Sequence, residues 1–183
     1  MLDPLTALGQ AEPQTVTIGP FSIVERVDTA LASLACRRNR QADLAKAAQE
    51  AGIPLPAPGR HEAARLAAFW LSPEMWMIEA PIASHADIRA DLLAVFGDAA
   101  SITEQTDAWV RFDLGAAILP ALMERLCNVD LARATVGTAT RTVIDHLGCY
   151  LIKRGDQRIT LYGPRSSAQT LLHALTVAAT SLL

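Results

Sequence analysis

The sequence predicts an α+β fold: an antiparallel-rich sheet with helices on one side. Three observations carry that reading. Short apolar runs alternate at period two, turn signals join several of these runs in pairs, and amphipathic helical patterns follow the pairs. Strands joined by tight turns are antiparallel, and helices placed after strand pairs belong to the α+β class. The ending, strand–helix–strand–strand–helix, suggests a split β-α-β unit. With 183 residues, the chain is expected to hold an extended N-terminal arm over residues 1–20 and one α+β domain over 21–183. Two similar lobes, about 21–97 and 98–183, are the finer division.

Residues 1–20 carry Pro4, Gly9, Pro13, Gly19 and Pro20, too many breakers for a regular element, and such an arm is ordered only where it docks. From Phe21 to Arg37 the pattern is strand-like. Phe21 and Ile23 share one face, and Leu31, Ser33 and Ala35 resume after a break near Asp28. Gln41 to Ala51 is alanine-rich and helical, and Gly52 is its stop. In Ile53 to Gly59 the prolines fall at every second position, which leaves only a loop.

A hairpin follows, Leu66 to Leu71 and Met75 to Ala80, turned at Ser72-Pro73-Glu74. Both runs are nearly continuous in hydrophobicity, as in a strand covered on both faces. Ser84 with Asp87 resembles a capping box. The helix it opens turns Ile88, Leu92 and Phe96 inward and stops at Gly97.

In the second half, Trp109 to Asp113 alternates as a strand with Val110 and Phe112 inward. Asp113 reads as the N-cap of a helix carrying Ile118, Leu119, Leu122 and Leu126, in which Pro120 fits only the first turn. Strands are expected over Ala139 to Ile144, Leu147 to Lys153 and Arg158 to Gly163, the last reached through a turn at Gly155-Asp156. Ser166 or Ser167 caps a final helix with Leu171, Leu172, Leu175 and Leu182.

Composition bounds the function. Hydrophobic residues are 51% and charged residues 19%, which fits a filled core and argues against disorder. A domain of this size buries about 70% of its unfolded surface and needs no staples. A formal charge of −3 and a pI near 5.8 leave no electrostatic footprint for nucleic acid. The run Arg37, Arg38, Arg40 reads as a solvated strand end. Mean hydropathy is +0.22, yet no apolar stretch reaches the ~18 residues of a membrane span. The start, Met1 to Leu5, lacks the basic and apolar regions of a secretory signal, so a cytoplasmic protein is expected. Some of the apolar surplus is free to cover a partner.

The search for chemistry starts with cysteines. Cys36, Cys127 and Cys149 are distant, odd in number and outside any metal-ligand spacing, so reduced buried thiols are expected. No G-x-S-x-G occurs, and His61, His85, His146 and His173 lie in different contexts, read as solvated or core-edge positions. His61 falls in a loop, His85 in a helix's first turn and His173 in the last helix. His146, beside Asp145 and after Arg141, is the best candidate for a polar site, against a strand-end hydrogen bond. Asp87 and Asp91 share a helix face, the spacing of a solvated face more than of a metal. No G-x-G-x-x-G or Walker pattern is present, so no means of holding FAD, FMN or NAD is visible. Trp70 and Trp76 lie near the hairpin turn, where cross-strand neighbours meet. Core packing and a partner hot spot are both open to them.

Several of these motifs, in this order, resemble the gamma subunits of heterotetrameric sarcosine oxidases. That family shares its fold with the folate-binding part of the glycine-cleavage aminomethyltransferase. The residues are Ile102-Thr103-Glu104-Gln105-Thr106, then Trp109 to Gly115, then Thr140-Arg141-Thr142 with His146, and Tyr162-Gly163-Pro164-Arg165-Ser166 entering a leucine-rich helix. The hairpin Trp70-Leu71-Ser72-Pro73-Glu74-Met75-Trp76 adds to them. The likeness covers roughly residues 64–183, about two-thirds of the chain.

The resemblance implies a subunit without catalytic, cofactor or metal residues of its own, working in structure and assembly beside alpha, beta and delta subunits. Those partners would hold FAD, FMN, NAD and tetrahydrofolate, and the complex would oxidise sarcosine. Glu104 stands where the related aminomethyltransferases have an aspartate, and its longer side chain would misplace a carboxylate meant for a folate ring. Two other readings make different demands. A free-standing folate or small-molecule binder needs a closed pocket near Glu104, Arg141 and His146. A structural homo-oligomer would close the apolar patch on a second copy.

Overall fold

Thr15–Ile18 (β1) and Phe21–Arg26 (β2) form an antiparallel hairpin whose turn holds Gly19 at a φ of 51°, where a side chain is strained. They open the computed structural model, which describes residues 5–183. Then come Thr29–Cys36 (β3), Gln41–Ala51 (α1), His61–Ala63 (β4), Ala67–Ser72 (β5), Met75–Pro81 (β6), Ile88–Phe96 (α2) and Ala100–Glu104 (β7). Trp109–Gly115 (β8), Leu119–Glu124 (α3), Ala139–Ile144 (β9), Leu147–Gly155 (β10), Arg158–Pro164 (β11) and Ala168–Thr180 (α4) complete the order.

The chain divides into two units, one of residues up to Val27 with Asp107–Leu183, the other Asp28–Thr106. This corrects the expected lobes at about 21–97 and 98–183. β2 pairs with β8 and β7 with β3, so each end of the chain segment crosses the boundary that local pattern suggested. Strand partners far apart in sequence leave no local trace.

In Asp28–Thr106 the sheet order is β4-β5-β6-β3-β7, antiparallel throughout. β3 and β5 therefore run parallel with β6 between them, linked through α1, and β6 and β7 do the same around β3 through α2. These are two interlocked split β-α-β units. Leu44 and Ala48 of α1 and Ile88, Leu92 and Phe96 of α2 close one core with Ala32, Leu34, Ala68 and Ile78. Ala30 to Leu34 of β3 and Met77 to Ala80 of β6 are buried at every position, matching the continuous apolar run in the hairpin. Gly52 ends α1 at a φ of 65°. Asp87, not Ser84, caps α2: its side chain accepts from Ala90 N at 2.9 Å. Ser84 instead turns to Pro81 O and the His85 ring.

In the other unit the order is β1-β2-β8-β11-β10-β9, again antiparallel. Phe21, Ile23, Val110, Phe112, Leu114, Leu151 and Leu161 face Leu119 and Leu122 of α3 and Leu171 and Leu175 of α4, so the helices lie on one side. β8 and β10 run parallel with β11 between them, linked through α3 and β9, so the split β-α-β unit expected at this end of the chain is present here as well. Asp113 sits mid-strand in β8 rather than at an N-cap. α3 begins at Leu119 with Pro120 in its first turn and Ile118 exposed.

The N-terminal segment is not a free arm. β1 is paired, and buried Glu25 accepts from Leu8 N (3.1 Å) and Gln14 N (3.2 Å). Gln169 Nε2 donates to Leu8 O and an Arg165 Nη to Leu5 O, both at 2.8 Å. Its first four residues, Pro4 among them, lie outside the described residues.

Candidate functional site

Alternation along β8 turns Arg111 and Asp113 away from the helix-covered face. The register of β11 sets Thr160 opposite Asp113, and that of β2 sets Arg26 opposite Arg111. A polar cluster results. Arg111 donates from Nε to Asp113 Oδ1 (3.0 Å) and from Nη2 to Oδ2 (2.9 Å), the two-pronged geometry that fixes a guanidinium on a carboxylate. Arg26 Nε stands 4.0 Å from Asp113 Oδ2. The fully buried Thr160 hydroxyl donates to Asp113 Oδ1 at 2.6 Å and accepts from Arg154 Nε at 3.0 Å.

This cluster borders a pocket of about 390 Å³ that also takes in Ser22, Val24, Leu114, Ile159 and Arg158. Arg111, Arg154 and Arg158 oppose a single lining carboxylate, Asp113. Such a site suits an anion. It is poorly built for proton transfer, because both oxygens of Asp113 are already engaged by Arg111 and Thr160.

A second polar pair lies in Asp28–Thr106. His61 is the first residue of β4, not part of a loop, and its Nε2 is 3.1 Å from Glu79 Oε2, with side chains only 10% and 5% exposed. Sheet pairing of β4 with β5 carries the imidazole inward. His173 is exposed on α4. His85 precedes α2 rather than lying in its first turn, with Nδ1 2.9 Å from Ser84 Oγ.

The residues expected to form a polar site do not share one unit. Glu104 ends β7, exposed, with Oε1 accepting from Thr106 N at 2.8 Å. Arg141 lies on β9 and His146 in the β9–β10 turn, both exposed in the other unit. Asp145 and His146 have φ of 47° and 65°, the two left-handed residues of a type I′ hairpin turn. Trp70 and Trp76 are direct cross-strand partners. Trp76 packs against the unit's core and donates from Nε1 to Pro56 O at 2.9 Å, whereas Trp70 is half-buried.

Of the cysteines, Cys149 is buried and Cys36 and Cys127 are half-buried. Burial pushes the Cys149 thiol up to about 11, and burial, then the neighbouring Glu74 carboxylate, raise Cys36. Among the described residues no three His, Cys, Asp or Glu side chains gather in a metal-binding group, and no helix is long and apolar enough to cross a membrane.

Reading the sequence missed the Arg111–Asp113–Thr160–Arg154 cluster. Arg-x-Asp on an alternating strand does place both side chains on one face. Their completion by Thr160 and Arg154 depends on the β11 register, which the local pattern does not contain.

The sequence matches no family profile and no curated protein. Solved structures do share the fold. A chain of the heterotetrameric sarcosine oxidase from Corynebacterium sp. U-96, solved with pyrrole 2-carboxylate, superposes with a TM-score of 0.75 at 21% identity. The match covers 91% of this chain and 88% of that one. The glycine cleavage system aminomethyltransferase T from Bartonella henselae gives 0.62 at 12% identity, over 85% of this chain and 48% of that one. The fold is thus the aminomethyltransferase-like α+β fold. In the sarcosine oxidase assembly one chain carries it over nearly the same length as here.

Proposed function

We propose that this chain is the gamma subunit of a multisubunit sarcosine oxidase, a non-catalytic partner that serves structure and assembly. The observation that carries this reading is the two-way coverage of the match to a sarcosine oxidase chain, 91% and 88%. A subunit should correspond to a subunit from end to end, whereas only about half of the aminomethyltransferase has a counterpart here. In this reading the alpha, beta and delta subunits hold FAD, FMN, NAD and tetrahydrofolate. The whole complex demethylates sarcosine oxidatively to glycine, in the cytoplasm. Trp70, half-buried beside the β5–β6 turn, is the side chain we assign to a subunit interface, since partly exposed tryptophans are enriched at interface centres.

The test is co-expression with candidate alpha, beta and delta subunits of the same organism, capture on this chain, and the absorbance spectrum of the eluate. A yellow complex with sarcosine oxidase activity, beside a colourless and inactive chain alone, is the expected result. A chain that captures no flavoprotein sinks the assignment. A second reading, a free-standing small-molecule binder, draws on the arginine-lined pocket. It predicts saturable tetrahydrofolate binding to the isolated chain by calorimetry.

A further inference from the structure

We propose that the pocket on the flank of α2, within Asp28–Thr106, binds a small zwitterion: an α-amino acid with an apolar side chain, its carboxylate on Arg65 and its ammonium on Asp91. The pocket is built from this unit alone, so it stands or falls independently of the subunit reading.

The two charges come first. Arg65, in the bend before β5, and Asp91, in the first turn of α2, line one cavity of about 310 Å³. Among the described residues neither side chain is in an ion pair or a hydrogen bond, with the other or with any third group. Asp91 is not engaged by its own helix either, because capping of α2 falls to Asp87, which accepts from Ala90 N. A simple anion would be drawn to Arg65 and repelled by Asp91, and a simple cation the reverse. Only a ligand with both signs answers both groups. The guanidinium fork matches a planar carboxylate, and an ammonium has three N–H donors for the carboxylate of Asp91.

The rest of the lining sets the kind of zwitterion. Half-buried Val95 and exposed Ala94 form the helix side of the pocket. Ile53, Leu66 and Leu92 also line it and belong to the core that α2 closes, on the same side of the sheet. An apolar ligand body would bury against this wall. At the rim, His85 Nδ1 is 2.9 Å from Ser84 Oγ, which holds the ring, while Nε2 has no protein partner among the described residues. The cavity is at the small end of the ~300–1,000 Å³ typical of ligand sites. It has room for a free amino acid rather than for a nucleotide.

The test uses the ¹⁵N-labelled full chain, followed by NMR at neutral pH and constant ionic strength. The probes are valine, glycine, and the two half-molecules of valine, isovalerate and isobutylamine, which keep the apolar body and one charge each. Amide signals of Arg65, Leu66, Asp91 and Val95 should shift saturably with valine, and glycine should bind about tenfold more weakly for its three missing carbons. Each half-molecule should bind ~fivefold more weakly than valine, as loss of an ion pair at a solvent-facing site does. Arg65→Gln should weaken valine by that factor and leave isobutylamine no weaker. Asp91→Asn should weaken valine likewise and leave isovalerate no weaker. Both side chains are exposed, so amide signals away from the pocket should stay in place in either variant. The proposal is overturned if either half-molecule binds as tightly as valine, or if valine moves the pocket amides no more than those of the exposed Arg38 and Arg125.

Discussion

Gly163 lies on β11 where an added Cβ would stand 2.5 Å from Leu171 Cδ2 and 3.5 Å from Cys149 Sγ. Leu171 and Cys149 are both fully buried, so neither yields without disturbing the core. Gly163→Ala should cost about 1–3 kcal/mol, the range for overpacking, read as a lower urea midpoint at unchanged slope. Cys149 makes a second prediction at this scale. Burial pushes its thiol up to about 11 in the folded chain, above the 9.0 of an ordinary thiol. The folded state thus keeps a proton that the unfolded state releases, so this contribution to stability is intact below pH 9 and is lost as pH rises toward 11. With a thiol reagent at pH 8, at most two cysteines should react in the native chain and the third only in denaturant. Asp98 has the opposite sign, its carboxyl lowered by hydrogen bonding to Arg40 and by that residue's charge. Its contribution is present above the usual carboxylate range and lost in acid, and Asp98→Asn should flatten the acid limb of the stability profile. The sequence placed Asp113 and His61 wrongly because each looks like a polar residue at an element's edge. Pairing with the distant β2 and β11 shows that Asp113 is mid-sheet, and the short β4–β5 pairing that brings His61 against Glu79 shows that His61 is buried.

At the scale of elements, local chemistry was legible where it is self-contained. α1 runs over Gln41–Ala51 and ends at Gly52, since helix-forming residues and a left-handed glycine cap act without reference to the rest of the chain. The β5–β6 and β9–β10–β11 strands were likewise readable from alternation and turn residues. The N-terminus of α2 was not, because Ser84 and Asp87 are both good caps and only the backbone path chooses between them. Asp87→Ala should cost about 0.5–2 kcal/mol, whereas Ser84→Ala should leave the thermal midpoint nearly unchanged. β1 and β4 escaped notice because Thr15–Ile18 and His61–Ala63 are too short for a pattern to stand out.

At the scale of the molecule, the N-terminal segment and the two units are the outcome of contacts distant in sequence. Glu25 continues the inward series Phe21, Ile23 and is buried with them, where it answers the N–H groups of Leu8 and Gln14. Removing it as Glu25→Ala should abolish the slow hydrogen exchange of those two amides, while the amides of α1 stay protected. The α+β class, the helices on one side, most strands and the aminomethyltransferase-like resemblance followed from the sequence by itself, because periodicity, caps and turns are short-range properties. Tertiary structure alone decided that β2 joins β8, that β7 joins β3, and that Arg111, Asp113, Thr160 and Arg154 meet. Those outcomes depend on which strands pair and in what register, and that choice is made by the burial of whole faces rather than by any neighbour along the chain.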